Sequence, residues 1–269
     1  MISMRYHIIS LAAAFLALAL GIVLGATKIN APWLAGLQSD SASLTEQRAE
    51  LEAENDALTS DVAAGQDMAE AVSEVSVRGV FQPDPTVVLI TTSDAAAADR
   101  DAVLSLLDKA GVTVATQLQL TAAFTDPAKA QELRTLLASN IPAGQKLPEV
   151  DDTGTLAAAL LSLLVVADDS GSSKATADEA TKAFTALTTA GFIQVSGTPA
   201  AGRLAILLTG PAETGGSEAD RAATLAHFAT QLKLSAKGVV MAGQQGSETD
   251  QTGAVGVVRG DTAASEMMW

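Results

Sequence analysis

The sequence predicts an N-terminal transmembrane helix, a coiled-coil stalk and an α/β ectodomain with a mostly parallel, doubly wound sheet. Three observations predict this class: an uncharged apolar run over residues 8–26, leucines spaced by seven over residues 37–58, and strand-like runs that alternate with helical segments after residue 84. We assign residues 1–7 to a cytoplasmic tail, 8–27 to the membrane helix, 34–64 to the stalk and 84–269 to the ectodomain.

Composition excludes several functional classes. The 269 residues include 31 Asp and Glu but only 16 Lys and Arg, and nucleic-acid binding needs a clustered basic surface. Apolar residues make up 48% of the chain, which excludes general disorder. There is no cysteine and there are two histidines, His7 and His227, so disulfides, thiolate sites, thiol nucleophiles and a multi-histidine metal site within one chain are excluded.

Residues 8–26 contain no charge and would span about 28 Å as a helix, close to the thickness of a bilayer core. The alternative is a cleaved signal peptide, but its apolar region is usually about 7–15 residues long, and Leu24 stands where a cleavage site needs a small residue. Arg5 precedes the span and all acidic residues follow it. We therefore predict a short cytoplasmic tail, a single pass through the cell membrane or envelope, and an extracytoplasmic bulk.

Two patterns in this N-terminal region predict a parallel homodimer. Small residues recur every four positions in the span and end in Gly21 and Gly25, a spacing that lets two membrane helices approach closely, although such patterns also arise by chance. The leucines of the heptad repeat would occupy d positions, with Asn55 at an a position that fixes register; these leucines are Leu37, Leu44, Leu51 and Leu58. The alternative is a single amphipathic helix that lies on the globular domain.

The ectodomain elements follow in order from apolar runs, caps and glycine stops. Ser93-Asp94 is a turn and a helix cap, and Asp126-Pro127 begins a helix by the cap-then-proline rule. The predicted strands are 86–92, 112–120, 192–196, 204–209, 238–242 and 254–259. The predicted helices are 95–110, 126–140, 156–167, 176–190 and 218–233. Alternation of this kind is typical of a parallel sheet covered on both faces.

Ligands of such sheets bind outside the carboxyl ends of the strands, so the loops there are candidate ligand loops. They contain Asp94, Gly210, Gly243 and Gly246. Glycines there could present N–H groups to an anion, but they are more simply explained as plain turns. No phosphate-binding or nucleophile-elbow motif is present, and His227 has no evident partner in the sequence. We expect no catalytic residues and predict that the chain is not an enzyme, with Asp94 serving as a helix cap.

Several blocks of the chain resemble one family. Residues 1–19 with Gly21 and Val23-Leu24-Gly25, followed by residues 140–144, 191–193 and 243–247, resemble the actinobacterial copper-transporter family of the MctB type. The resemblance covers nearly the whole chain. It implies an envelope protein associated with copper efflux or homeostasis, while related proteins are connected with envelope assembly and cell separation. Family members continue past the equivalent of residues 255–261, so we expect a truncated or divergent C-terminus.

The sequence contains few side chains of the types that bind copper. Cu(I) prefers cysteine and methionine and Cu(II) prefers imidazole, which leaves His7, Met267 and Met268 as weak candidate ligands. A methionine is more often a flexible core filler than a ligand. The sequence thus leaves two functions open: the copper role that the resemblance implies, with copper as the only implied cofactor, and a non-catalytic dimeric scaffold that binds another envelope protein.

Overall fold

The computed structural model describes residues 4–28, 30–77, 86–168, 170–249 and 251–261. The chain divides into two units, residues 1–71 and 72–269, each of which is described by itself. The helices are α1 (Met4–Lys28), α2 (Asn30–Val77), α3 (Ala97–Lys109), α4 (Ala122–Thr125), α5 (Ala130–Ser139), α6 (Thr153–Val165), α7 (Ala177–Thr189), α8 (Glu218–Lys233) and α9 (Ala254–Gly260). The strands are β1 (Thr86–Thr92), β2 (Thr113–Leu120), β3 (Ile193–Ser196), β4 (Leu204–Thr209) and β5 (Gly238–Gly243).

The N-terminal apolar helix is confirmed. Within α1, Tyr6–Gly25 is a 20-residue candidate membrane span with a mean hydropathy of 2.6, and none of it is buried by protein. Large apolar side chains such as Ile9 and Phe15 are exposed by more than 60%. A helix that is apolar on all sides and unburied is typical of a segment whose solvent is lipid.

Helix α2 is a continuous segment of 48 residues, about 72 Å long, and extends beyond the predicted stalk of residues 34–64. It passes through Gly65, the residue directly after the predicted stalk. A single glycine costs a helix only about 1 kcal/mol, and the surrounding alanines favour helix. Arg48 Nε lies 2.8 Å from Glu52 Oε1 one turn later, an exposed pair that adds a few tenths of a kcal/mol.

The second unit contains a five-stranded sheet in the order β3-β2-β1-β4-β5. Strands β1, β2, β4 and β5 are parallel, while β3 pairs with β2 in the antiparallel direction. The predicted α/β domain with a mostly parallel sheet is therefore confirmed, with one antiparallel edge strand.

The two faces of the sheet carry different cores. On one face, Val88 and Ile90 of β1 pack in the main cluster with side chains of α5, α6, α7 and α8. On the other face, Val87 packs with Leu107 of α3. Helix α6 lies so close to α8 that any side chain at Gly154 would overlap the carbonyl oxygen of Thr224. This contact fixes the relative position of the two helices behind the sheet.

Local caps explain several element boundaries. The Asp126 carboxylate accepts a hydrogen bond from Ala128 N at 2.9 Å and begins a 3₁₀ turn, Pro127–Lys129, before α5. Asp152 caps α6 by accepting from Thr155 N at 2.6 Å. Thr176 and Glu179 form a reciprocal capping box at the start of α7. Each cap satisfies backbone N–H groups that a helix start leaves without a partner.

Residues 254–259, predicted as a strand, are helical in the structure: they belong to α9. The run Ala-Val-Gly-Val-Val is apolar and short, and such runs do not distinguish strand from helix. Tertiary packing favours the helix, because Val258 is buried against Ala226 of α8. Gly256 also lies against the carbonyl oxygens of Glu248 and Thr249, where a side chain would overlap the backbone.

Candidate functional site

A cleft of about 270 Å³ lies at the carboxyl end of the sheet, where β1, β2 and β4 end side by side. Strand β1 has β2 on one side and β4 on the other, so the cleft lies where the strand order reverses, the usual ligand position in open α/β sheets. Its walls are the loops after these strands and one side of α8. The lining residues that matter below are Thr92, Ser93, Asp94, Thr121, Glu213 and Arg221.

A partly buried ion pair forms one wall of the cleft. Arg221 Nε of α8 lies 3.2 Å from Glu213 Oε2, and the two side chains are only 23% and 16% exposed. Arg221 also donates to the carbonyl oxygen of Thr214, and Glu213 N donates to Thr252 O at 2.7 Å. The loop after β4 is therefore held on both sides, to α8 by the ion pair and to the segment before α9 by its backbone.

Burial raises the pKa of Glu213 above its ordinary value, and the nearby charge of Asp94 raises it further. The guanidinium of Arg221 acts in the opposite direction but does not cancel the other two effects. Two carboxylates and one arginine thus face the same cleft. Sequence reasoning missed Glu213 and Arg221; the available signal was their place after a strand end and in the first turns of the following helix.

Asp94 does not cap a helix, which corrects the sequence prediction. A turn closed by Ala95 N donating to Thr92 O at 3.2 Å precedes α3, so the N-cap position falls on Ala96, whose side chain makes no capping bond. The Asp94 carboxylate instead lies against Gly210 of the loop after β4, where any side chain on Gly210 would overlap it. Asp94 and Gly210, two of the predicted candidate loop residues, therefore lie in contact at the cleft.

The glycine loops use their N–H groups within the fold. Gly210 N donates to Thr92 Oγ1 at 3.3 Å, and Gly246 N donates to Glu248 Oε2 at 2.8 Å. Gly246 has φ +97°, a backbone conformation that favours glycine, and Gly243 leaves no room for a side chain beside Thr209 and Ser247. These observations favour the interpretation as structural turns over the one in which the loops hold an anion.

His227 has a partner that the sequence did not reveal. Its Nδ1 lies 3.1 Å from Asp152 Oδ1, and Asp152 is the residue that caps α6. The pair therefore joins the start of α6 to the middle of α8, and the imidazole is 49% exposed. Its two residues lie far apart in the sequence, which is why spacing gave no signal. The contact is a structural one between two helices of the core.

The remaining predicted site residues lie in the first unit or outside the described residues. Gly21 and Gly25 have no neighbouring atom within 4 Å of the position that a side chain would occupy. Leu44, Leu51 and Leu58 are exposed by 59–65%, and Asn55 Oδ1 accepts from Thr59 Oγ1 at 3.4 Å. Leu37 lies in α2 with its side chain outside the description.

The described part of the chain contains no group of three or more His, Asp or Glu side chains that could hold a metal ion. His7 lies in α1 within the candidate span, and Met267 and Met268 lie outside the described residues. The cleft offers carboxylate and hydroxyl oxygens, which are hard ligands. Cu(I) prefers sulfur ligands and Cu(II) prefers imidazole, so the donors of the cleft do not match copper.

Comparison with known proteins gives a match over nearly the whole chain. A family model described as "Copper transport outer membrane protein, MctB" matches residues 1–268. Curated relatives from Mycobacterium bovis and Mycobacterium tuberculosis, both named "Copper transporter MctB", are 33% identical over 97% of this chain and 84% of their own length. A relative of the same name from Mycobacterium leprae is 32% identical over the same shares.

Proposed function

Because the chain belongs to the MctB family of copper transport outer membrane proteins, we propose that it is a membrane-anchored envelope protein that functions in copper transport or homeostasis. The observation that carries this proposal is the length of the match, which includes the apolar helix α1, helix α2 and the α/β domain together. A similarity confined to the α/β domain would support only the fold, since one fold serves many functions.

Growth under copper stress tests the proposal. A strain that lacks this chain should stop growing at a lower copper concentration than its parent, and the full chain supplied in trans should restore growth. Zinc and nickel provide the control, because general envelope damage would increase sensitivity to all three metals. Equal copper tolerance of the parent and the deletion strain would contradict the proposal.

We propose further that the chain crosses the membrane once, with the residues before the span in the cytoplasm. The support is the apolar span Tyr6–Gly25 and the distribution of charge around it, with Arg5 before the span and every acidic residue after it. A reporter that is active only after export should be active when fused after Val62, and a cytoplasmic reporter at the same position should be silent. The reverse pattern would contradict this orientation.

We propose that α2 of two chains forms a parallel coiled coil, which would make the protein a homodimer. The support is the exposure of Leu44, Leu51 and Leu58, which recur at heptad spacing along α2. Leu side chains at heptad spacing are the pattern that two-stranded coiled coils use for their seam. Gly21 and Gly25 would continue the seam into the membrane, and the seam residues on α2 are Leu37, Leu44, Leu51, Asn55 and Leu58.

A second candidate function, which the exposed seam favours, is a non-catalytic scaffold that binds another envelope protein. On this proposal the sheet is doubly wound and its cleft is a contact surface, with Asp94, Gly210, Gly243 and Gly246 at its rim. Helices against both faces of β1 support the double winding. Titration of the full chain in detergent with Cu(I) and Cu(II) separates the functions, since stoichiometric sub-micromolar binding favours direct transport and its absence favours the scaffold.

We propose that the protein is not an enzyme. Two charged groups of the cleft pair with each other, because Arg221 binds Glu213, and Arg221 also donates to the carbonyl oxygen of Thr214. Ion pairs that hold loops in place perturb pKa values just as catalytic groups do. If Asp94→Asn abolished copper tolerance while stability and membrane level stayed normal, the carboxylate would have a chemical role and this proposal would be wrong.

A further inference from the structure

The cleft at the carboxyl end of the sheet combines charged groups with apolar surface. Asp94, Glu213 and Arg221 supply the charged groups, while Leu120 and Leu225 supply apolar surface. Both leucines belong to the main core and are 1% and 2% exposed, so their part of the lining is rigidly packed. The volume of about 270 Å³ lies just below the roughly 300–1,000 Å³ of sites for drug-sized ligands, and suits a molecule of a few carbon atoms.

The carboxyl of Glu213 lies in this lining without a hydrogen-bond donor from the described residues. Its side chain is 16% exposed, and Arg221 Nε lies 3.2 Å from its Oε2. The two groups are not aligned for a hydrogen bond, since Arg221 Nε has no hydrogen-bond partner in the described part of the chain. Another donor of Arg221 is used by the carbonyl oxygen of Thr214. Buried carboxyls normally accept hydrogen bonds, and the missing donor leaves burial free to raise the pKa of Glu213.

Asp94 adds a second carboxylate to the same cleft. It lies against Gly210, but Gly210 N donates to Thr92 Oγ1 at 3.3 Å rather than to this carboxylate. Its charge is close enough to raise the pKa of Glu213, and the guanidinium of Arg221 offsets only part of the combined effect. Among the described lining residues, Arg221 alone is basic. The lining therefore lacks a positively charged hydrogen-bond donor between its two carboxylates.

An ammonium group fits this lining better than a metal ion does. Mg²⁺ and Ca²⁺ take about six or more oxygen ligands, and the described part of the chain contains no group of three or more ligating side chains. The guanidinium beside Glu213 would also repel a divalent ion more strongly than a monovalent one. An ammonium has three N–H donors and no acceptor, and its charge-assisted bonds to carboxylates are stronger than neutral hydrogen bonds.

We propose that the cleft binds a small molecule that carries a primary ammonium group. The ammonium donates to the carboxylates of Asp94 and Glu213, and the carbon skeleton contacts Leu120 and Leu225. Arg221 keeps its contact with Glu213 and holds that carboxylate in place. The position agrees with the usual ligand site of open α/β sheets, outside the carboxyl ends of the strands where the strand order reverses. The site goes beyond the proposed copper function and does not depend on it.

Isothermal titration of the full chain in nonionic detergent tests the site with three chloride salts at matched ionic strength: n-propylammonium, tetramethylammonium and magnesium. We expect saturable binding of n-propylammonium at one site per chain. Tetramethylammonium carries the same charge but has no N–H donor, so it should bind at least tenfold more weakly. Equal or tighter binding of tetramethylammonium or Mg²⁺ would overturn the proposal, as would the absence of saturable binding of n-propylammonium.

The double variant Asp94→Asn, Glu213→Gln assigns the binding to the two carboxylates. It removes both charges with little change of side-chain size, and it should weaken the binding of n-propylammonium tenfold or more, which corresponds to about 1.4 kcal/mol. Asp99→Asn with Asp108→Asn is the matched control, because these exposed residues of α3 lose equal charge in the same unit. The control should keep the affinity. Unchanged binding in the first variant, or equal weakening in both, would overturn the proposal.

A measurement on the unaltered chain tests the same contact without any variant. Saturating n-propylammonium should lower the pKa of Glu213, followed by side-chain carbon NMR, because a positive charge beside a carboxyl favours its ionised form. The same concentration of tetramethylammonium should leave this pKa unchanged. A pKa of Glu213 that does not respond to n-propylammonium would overturn the proposal.

Discussion

The seam proposed for α2 makes a quantitative prediction for Leu44→Ala combined with Leu51→Ala. Each leucine is 65% exposed within its own chain. Complete burial of a leucine contributes about 1.5–3 kcal/mol, so covering the exposed two thirds contributes roughly 1–2 kcal/mol per side chain. A dimer buries four such side chains, and the double variant should weaken dimerisation by about 4–8 kcal/mol, less the part that alanine retains.

Sedimentation equilibrium of the full chain in nonionic detergent measures this effect. The parent chain should be dimeric. The dissociation constant of the dimer should be at least a hundred times higher for the double variant than for the parent. Glu46→Ala with Glu50→Ala is the matched control, because both residues lie on the helix away from the leucines and should leave the dimer intact. An unchanged dissociation constant in the leucine variant would refute the seam, and a monomeric parent would refute the dimer.

Three further predictions concern the α/β domain. Gly154→Ala should destabilise the fold by about 1–3 kcal/mol in chemical unfolding, because the added carbon overlaps α8, while Gly260→Ala, which meets open space, should have little effect. Asp94→Asn should lower the pKa of Glu213 toward its ordinary value, as measured by side-chain carbon NMR, since one of the charges that raise it is removed. Asp152→Ala should cost about 0.5–2 kcal/mol through loss of the α6 cap, and Asp152→Asn should recover most of this loss because Asn caps as well.

The raised pKa of Glu213 predicts how the stability of the fold depends on pH. A carboxyl whose pKa is raised in the folded state binds its proton more tightly there than in the unfolded chain. The free energy of unfolding should therefore fall as pH rises from the ordinary glutamate pKa through the raised pKa of folded Glu213. Above the raised pKa the carboxyl is ionised in both states, and the loss of stability is complete. Glu213→Gln should remove this component from the pH profile of unfolding. A profile identical to that of the parent would contradict the assigned cause.

Much of the fold was predictable because its determinants are local. The five strands of the sheet follow from short runs rich in apolar and β-branched residues, and α8 was predicted at residues 218–233, the bounds that the structure has. The Asp126 cap and the glycine stop at Gly111, which has φ +71°, likewise depend on a few neighbouring residues. Such signals act over three or four positions and need no knowledge of the tertiary structure.

The errors of the sequence prediction arose where long-range packing decides the local structure. Residues 254–259 are helical because Val258 packs on α8, a contact that an apolar pentapeptide does not encode. The antiparallel direction of β3 depends on the path of the chain after α7. His227 meets Asp152, and Asp94 meets Gly210, only because α6, α8 and the strand ends come together in space. The Glu213–Arg221 wall of the cleft was missed for a related reason, since its burial belongs to the folded domain.

The most direct test of the copper function is the rate at which cells lose copper. Cells of the parent, the deletion strain and the complemented strain would be loaded with a short copper pulse, washed, and sampled over time for copper per cell by mass spectrometry. A role in copper transport predicts that the deletion strain retains copper longer than the parent and that the full chain restores the parental rate. Identical loss of copper in all three strains, accompanied by defects in cell separation, would contradict the transport function and favour the scaffold.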